Sequence, residues 1–125
     1  MEVTITDVNN SKVTIQSDIG CFTGTWCSSK AALCKKYIVE LDYDGTIIPA
    51  NIRVSNNKSF FIKENNNNII LNGVAEEVED NILYLKINKD IIMFPFVFDV
   101  DYAKYINQCV EIVVPNINLY DMEVY

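Results

Sequence analysis

The sequence contains no histidine among its 125 residues. Histidine is the side chain that most often acts as a general base near neutral pH, and it is the commonest metal ligand. Its absence excludes Ser-His and Cys-His dyads and any metal site that needs an imidazole from this chain. Catalysis by carboxylates alone stays open, but no recognisable catalytic set is present. We therefore predict that the protein is not an enzyme.

Long apolar runs and paired cysteines are also missing. No stretch approaches the ~20 apolar residues of a transmembrane helix, and the first residues, 1–4, lack the positive charge of an export signal. The cysteines form no Cys-x-x-Cys pair, and their spacing gives little support for a zinc site; they are Cys21, Cys27, Cys34 and Cys109. We expect a bacterial cytoplasmic protein with reduced thiols, no metal, no cofactor and no membrane partner.

Positive charge is scarce relative to negative charge. The chain has 10 basic and 17 acidic residues, which gives a net charge of −7. Nucleic-acid binding needs clustered lysine and arginine, so we expect no nucleic-acid partner. Electrostatic attraction favours a basic protein as partner. The alternative is that the charge only keeps a small protein soluble.

The apolar pattern is that of strands. Tyr37, Val39 and Leu41 alternate with polar residues, and turn signals such as Asp44-Gly45 and the asparagine run 65–68 follow at short intervals. The sequence predicts eight to ten short strands in one all-β domain over residues 1–125, without an internal repeat. A small closed or partly open barrel, OB-like, is the expected fold, and a β-sandwich is the alternative.

Four local features carry structural expectations. Gly73 predicts a bulge within a strand over Ile69 to Val78. The run Ile91 to Phe98 is apolar on both faces, which predicts a strand that is central or covered on both sides. Residues Asp101 to Asn107 suit one helical turn. Trp26, at a strand end, suits a partly buried core position, or alternatively an interface anchor.

Two groups of carboxylates are candidate partner-binding residues. One group ends a predicted strand and comprises Glu76, Glu77, Glu79 and Asp80; the other is Asp99 and Asp101. The first group either docks a basic partner or only protects an apolar strand from aggregation. The second group could form paired catalytic carboxylates, but a role as helix N-cap explains it more simply.

One further acidic motif opens like a calcium loop. Asp42-x-Asp44-Gly45 matches the start of an EF-hand, but the twelfth position of such a loop needs a glutamate and is Arg53 here. A hairpin turn with two solvated carboxylates therefore explains this motif.

The chain resembles the small acidic immunity proteins that bacteria carry against polymorphic or contact-delivered toxins. The resemblance is one of type, in length, acidity and lack of a catalytic set. It includes the strand-turn-strand style of Ile82 to Ile87, Ile91 to Phe94 and Cys109 to Ile112. It implies a stoichiometric inhibitor that presents carboxylates to a basic toxin surface. The rival hypothesis is a structural or adaptor domain that self-associates through a strand edge.

Overall fold

The structure of the chain is a computed structural model that describes residues 1–97 and 100–122. These residues form eleven strands and two short 3-10 turns. Apolar residues at every second position give most strands one buried face, which explains why these segments are extended. In chain order the strands are β1 Glu2–Asn9, β2 Lys12–Ser17, β3 Gly20–Trp26, β4 Lys36–Asp42, β5 Ile52–Val54, β6 Phe61–Asn65, β7 Asn68–Glu79, β8 Ile82–Ile87, β9 Asp90–Pro95, β10 Cys109–Val114 and β11 Asn118–Asp121.

Five of the strands close a barrel. β1 pairs with β2 and β4, and β2 pairs with β3. β11 closes the ring because it pairs parallel to β3 and antiparallel to β4. Each strand of the ring has a neighbour on both sides, which is how a barrel satisfies its backbone hydrogen bonds. The all-β barrel predicted from the sequence is confirmed.

The other strands extend this ring into one continuous sheet. β6 runs parallel to β3 and antiparallel to β7. β7, β8 and β9 form an antiparallel meander, and β10 lies between β7 and β5. The buried side chains of both halves of the chain belong to one hydrophobic cluster.

The β7–β9 meander repeats the strand pairing of the β1–β3 meander, a structural repeat that was not predicted from the sequence. The register of the β1–β2 pair shifts between Ile5 and Asp7, and that of the β7–β8 pair shifts between Ala75 and Glu77, 70 residues later. The β2–β3 and β8–β9 registers are related by the same offset. The repeat lies in the backbone pairing rather than in residue identity, which is why the sequence pattern does not reveal it.

The connection to the fourth strand is also repeated. The Cys34 N–H donates to the Ile5 C=O at 2.8 Å, and the Asn107 N–H donates to the Ala75 C=O at 2.7 Å. Cys34 and Asn107 both have positive φ, at 64° and 67°. β10 therefore occupies in the second half the place that β4 occupies in the first.

Each half is joined by a segment of the other half, but only in the first half does that segment close a ring of paired strands; in the second half it forms an isolated bridge between Ile47 and Phe96. After β4 the chain crosses to the second half, where the Ile47 N–H donates to the Pro95 C=O at 2.8 Å and β5 then pairs with β10. After β10 the chain crosses back, and the Ile117 C=O accepts from the Thr25 N–H at 3.0 Å before β11 pairs with β4. The two halves thus exchange segments.

Of two local predictions, one is confirmed and one is wrong. Trp26 is buried and its ring contacts that of Tyr37 edge-on at 4.9 Å between centroids, which confirms a core position. Gly73 lies in a regular part of the β7–β10 ladder, and the bulge is at Glu76 instead. A Cβ at Gly73 would lie 2.3 Å from the Lys86 carbonyl oxygen, so the glycine permits close approach of β8 and does not form a bulge.

The helical turn predicted within Asp101 to Asn107 is present as a 3-10 turn at Ala103–Tyr105. The other 3-10 turn, Pro49–Asn51, lies between Ile47 and β5, in the segment that joins the second half. No helix in residues 1–97 and 100–122 is long and apolar enough to cross a membrane.

Candidate functional site

Four carboxylates lie together at the end of β7. Glu76, Glu77 and Glu79 belong to the strand, Asp80 begins the turn to β8, and all four are exposed. The bulge at Glu76 adds one residue to β7, so that Glu77 comes to lie opposite Tyr84 on β8. We call these four residues the acidic cluster. The structure brings them to one strand end, as their spacing in the sequence predicts.

Two members of the acidic cluster raise the pKa of a third. A hydrogen bond that the protonated Glu79 carboxyl donates to Glu77, followed by the negative charges of Glu77 and Asp80, raises the pKa of Glu79 above its ordinary value of 4.5. Such a shift means that the ionised form of Glu79 is disfavoured by its neighbours. The cluster therefore concentrates negative charge that its own residues do not relieve.

Both ion pairs of the described residues lie elsewhere. The amino group of Met1 contacts Asp90 at 2.8 Å, and the guanidinium of Arg53 contacts Glu111 at 2.7 Å. Within residues 1–97 and 100–122, no lysine or arginine forms a salt bridge with the acidic cluster. An external cation is thus the group that could compensate the charge of the cluster.

Asp101 forms a local hydrogen bond with the backbone. Its Oδ1 accepts a hydrogen bond from the Ala103 N–H at 3.1 Å, just before the 3-10 turn. The N-cap of that turn is Tyr102 and has no side-chain cap bond, so the predicted N-cap role of Asp101 is wrong, although the residue does bond locally to the backbone. Asp99, its predicted companion, lies outside the described residues. Both stay predicted partner-binding residues, but the contacts that define a site are at the acidic cluster.

The acidic cluster borders an apolar sheet surface. In the meander β7–β9, side chains of Leu83, Leu85 and Phe94 point into the core, so those at the alternate positions point outward. The outward residues form three rows across the strands. We call this surface the second-half face; its rows are Glu79, Ile82 and Pro95, then Glu77, Tyr84 and Met93, then Val74, Lys86 and Ile91.

The centre of the second-half face is apolar and accessible. Ile91 and Met93 are 53% and 42% exposed, and Tyr84, opposite Met93, is half-buried. Glu77 and Glu79 of the acidic cluster end two of the rows. The face is therefore an apolar strip with carboxylates along one side.

The corresponding surface of the first half is polar. Thr14 and Thr23 stand 70 residues before Tyr84 and Met93, and their hydroxyl oxygens are 2.8 Å apart in a hydrogen bond. Further along the same surface, the Lys12 ammonium donates to the Thr25 hydroxyl at 2.9 Å. We call this surface the first-half face. Its composition shows that this meander folds without apolar residues on its outer side.

The two halves also differ at the edge of the third strand. β3 is joined at Gly20 and Cys21 by β6, whereas the equivalent residues of β9, Asp90 and Ile91, have no strand beside them in the described part of the chain. The prediction that Ile91 to Phe98 forms a strand that is central or covered on both sides is wrong for β9, because it has only β8 beside it in the described part of the chain and because Ile91 and Met93 on its outer face are exposed. The strand is apolar at consecutive positions because both its buried side and its solvent-facing side carry apolar residues.

Two grooves compete with this surface as candidates. A groove of about 340 Å³ is lined by Glu40, Asp42, Tyr120 and Met122. The neighbouring charge of Cys27, with smaller effects of burial and of nearby carboxylates, raises the pKa of Tyr120. This groove is acidic, but it lacks an extended apolar surface.

The larger groove, of about 550 Å³, lies between the two halves. Its lining combines Lys36 and Lys89 with Asp18 and Asp90. Glu2 and the amino group of Met1 also line the groove, so charges of both signs are balanced there and it favours neither a cation nor an anion. The acidic cluster with the second-half face is the more selective surface.

Metal chemistry has no site among the described residues. No group of three or more acidic or cysteine side chains in residues 1–97 and 100–122 is arranged to hold a metal ion. All four cysteines are free thiols, three of them exposed and Cys109 half-buried.

Comparison with family models, with curated proteins and with solved structures finds no match to this chain.

Sequence reasoning identified the carboxylates but missed the apolar strip beside them. The sequence around Ile91 and Met93 does contain a relevant pattern, because a run that is apolar at consecutive positions has either two covered faces or one exposed apolar face. Only the placement of β9 at the edge of the meander distinguishes these two cases.

Proposed function

We propose that this protein is a non-catalytic binding protein that masks a basic surface of another protein with the carboxylates of its acidic cluster. The expected partner class is a toxin domain, which the protein would neutralise by occupying a cationic cleft. The observation that carries the proposal is the arrangement of Glu76, Glu77, Glu79 and Asp80. All four are exposed at one strand end, Glu77 and Asp80 raise the pKa of Glu79, and no cation within residues 1–97 and 100–122 forms a salt bridge with them.

The physical argument concerns complementary charge. Lysine and arginine side chains of a partner would relieve the repulsion within the cluster on association, so part of the electrostatic gain is realised only in the complex. Long-range attraction to a basic partner also raises the association rate by roughly ten- to a thousandfold at low salt. A stoichiometric inhibitor benefits from that speed.

The test begins with capture of partners from the native host at low salt and identification by mass spectrometry. The captured basic protein is then purified, and its affinity is measured with three forms of this chain. The forms are the wild type, a variant with the four cluster carboxylates replaced by Gln or Asn, and a matched control. The control carries Glu2→Gln, Asp7→Asn, Asp18→Asn and Asp44→Asn, which are exposed positions away from the cluster.

Both variants change the net charge from −7 to −3, so they differ only in where charge is removed. We expect the cluster variant to lose affinity and salt dependence, and the control to keep most of both. Equal loss in the two variants would show that only overall charge matters. The toxin assignment further requires that the wild-type chain inhibits the activity of the captured protein at a one-to-one ratio; binding without inhibition would remove it.

A second candidate function is self-association through the β9 edge. It is favoured by the β9 edge at Asp90 and Ile91, which has no neighbouring strand in the described part of the chain, and by the exposure of Ile91 and Met93. Sedimentation velocity over a hundredfold concentration range tests it, and a monomer throughout would rule it out.

A further inference from the structure

We propose that the second-half face is the docking surface of this protein, and that its partner presents an apolar protrusion with lysine or arginine residues on one side. The proposal rests on the proposed function and deepens it. The acidic cluster provides attraction, and Tyr84, Ile91 and Met93 form the apolar centre that the partner covers.

The first argument is the comparison of the two halves. Tyr84 and Met93 occupy the places of Thr14 and Thr23, in the same register and with the same bulge nearby. The threonine pair stabilises the outer side of the first meander with a hydrogen bond. The fold therefore does not require an apolar pair at this place, and exposure of Met93 to water needs another reason.

The second argument is the composition of the face. Protein interfaces have an apolar centre enriched in tyrosine and methionine and a polar rim, and residues that dominate affinity lie near the centre. The second-half face follows this arrangement, with Tyr84 and Met93 in its middle row and Glu77 at the end of that row.

The third argument is charge complementarity, which also fixes the geometry of the partner. The carboxylates lie on β7, and Met93 and Ile91 lie on β9, two strands away. Neighbouring strands are about 4.8 Å apart, so the charged and apolar parts are separated by about 10 Å. A partner that fits has its basic residues about that far from its apolar protrusion, on one side only. A uniformly basic surface would not match the apolar residues on β9.

The experiment uses the full chain, labelled with ¹⁵N, and two amidated peptides as probes. One peptide has three basic residues followed by Leu-Phe-Leu, and the other has the same three basic residues followed by Ser-Ser-Ser. Amide shifts locate binding, and titrations give Kd. We expect both peptides to shift residues 76–80 at low salt, and the apolar peptide to shift β8 and β9 as well, with a Kd roughly five- to tenfold lower.

Variants test whether the higher affinity of the apolar peptide depends on Tyr84 and Met93. The double variant Tyr84→Thr with Met93→Thr installs the residues that the first half uses at the equivalent places, so the fold should be kept. A spectrum with unchanged dispersion verifies this. We expect it to abolish the advantage of the apolar peptide without changing the binding of the serine peptide. The matched control, Thr14→Ser with Thr23→Ser, should leave both affinities unchanged.

The outcomes separate this inference from the proposed function. If both peptides shift residues 76–80 with equal affinity, the docking surface is overturned while the basic-partner function stands. Failure of both peptides to bind at low salt overturns the two together. If the apolar peptide shifts the first-half face instead, or if the wild type is a dimer that Met93→Thr dissociates, the second-half face does not serve a basic partner.

Discussion

Replacement of Gly20 by alanine should be strongly destabilising. Gly20 begins β3 with a φ of +145°, a backbone conformation that residues with a side chain rarely adopt. A Cβ there would lie 1.8 Å from the carbonyl oxygen of Ile62 on β6. The overlap is with backbone, so relief requires that β6 move away from β3.

The magnitude follows from what that movement breaks. Backbone strain at such a φ costs about 1–3 kcal/mol. Separation of β6 from β3 would break the hydrogen bond from the Ile62 N–H to the Ile19 C=O, which is 3.0 Å long, and loss of this bond costs about 1 kcal/mol. It also exposes part of the Ile62 side chain, whose full burial stabilises by about 1.5–3 kcal/mol. We expect a loss of roughly 3–6 kcal/mol, a large share of the 5–15 kcal/mol that typically separates folded and unfolded domains.

Urea unfolding followed by far-ultraviolet circular dichroism measures this loss, with Gly45→Ala as the control. A Cβ at Gly45 would meet the phenol oxygen of Tyr43 at 2.6 Å, which is the end of a side chain that can rotate away. Both substitutions restrict the unfolded chain equally, so the difference between them reports the folded state. A difference below about 1 kcal/mol would refute the argument from Gly20.

Two further predictions concern individual side chains. Because its neighbours raise the pKa of Glu79 above 4.5, the ionised carboxylate destabilises the folded state above that pH and no longer does so once protonated. Glu79→Gln should therefore raise Tm at pH 7 in low salt, with a gain that shrinks as pH falls and is absent well below pH 4.5; a gain that is independent of pH would contradict this. The buried hydroxyl of Tyr102 has no hydrogen-bond partner among the described residues, so Tyr102→Phe should be neutral or stabilising by up to about 1 kcal/mol in urea unfolding. Tyr37→Phe, which loses a bond from the Ala32 N–H at 2.9 Å, should cost about 1 kcal/mol, and equal effects of the two substitutions would show that the Tyr102 hydroxyl is in fact satisfied.

The class of fold was predictable because its signal is local. Alternation such as Tyr37, Val39 and Leu41 fixes which side of a strand is buried, and β4 follows it residue by residue. The prediction of a bulge at Gly73 was wrong. A glycine in a strand marks either a bulge or a close approach of another strand, and only the position of Lys86 on β8 decides between them.

The repeat and the exchange of segments were not predictable from residue types. Ile47 and Ile117 are buried residues in short segments, and nothing in their neighbours indicates which distant strand each will join. At the candidate site, the carboxylates could be found from their clustering. The apolar strip could not, because its recognition depends on which side of β9 faces solvent.

The exchange of segments has a consequence for biosynthesis. β1 to β4 are complete once residue 42 has been made, yet their ring needs β11, which ends at Asp121. While the intervening chain is still being synthesised, β3 and β4 lack the neighbour that joins them, and they expose unpaired backbone to other nascent chains. Closure must therefore follow synthesis of residue 121, and pairings over so long a separation form slowly. A ribosome stalled before β11 should hold a protease-sensitive first half, however long it waits.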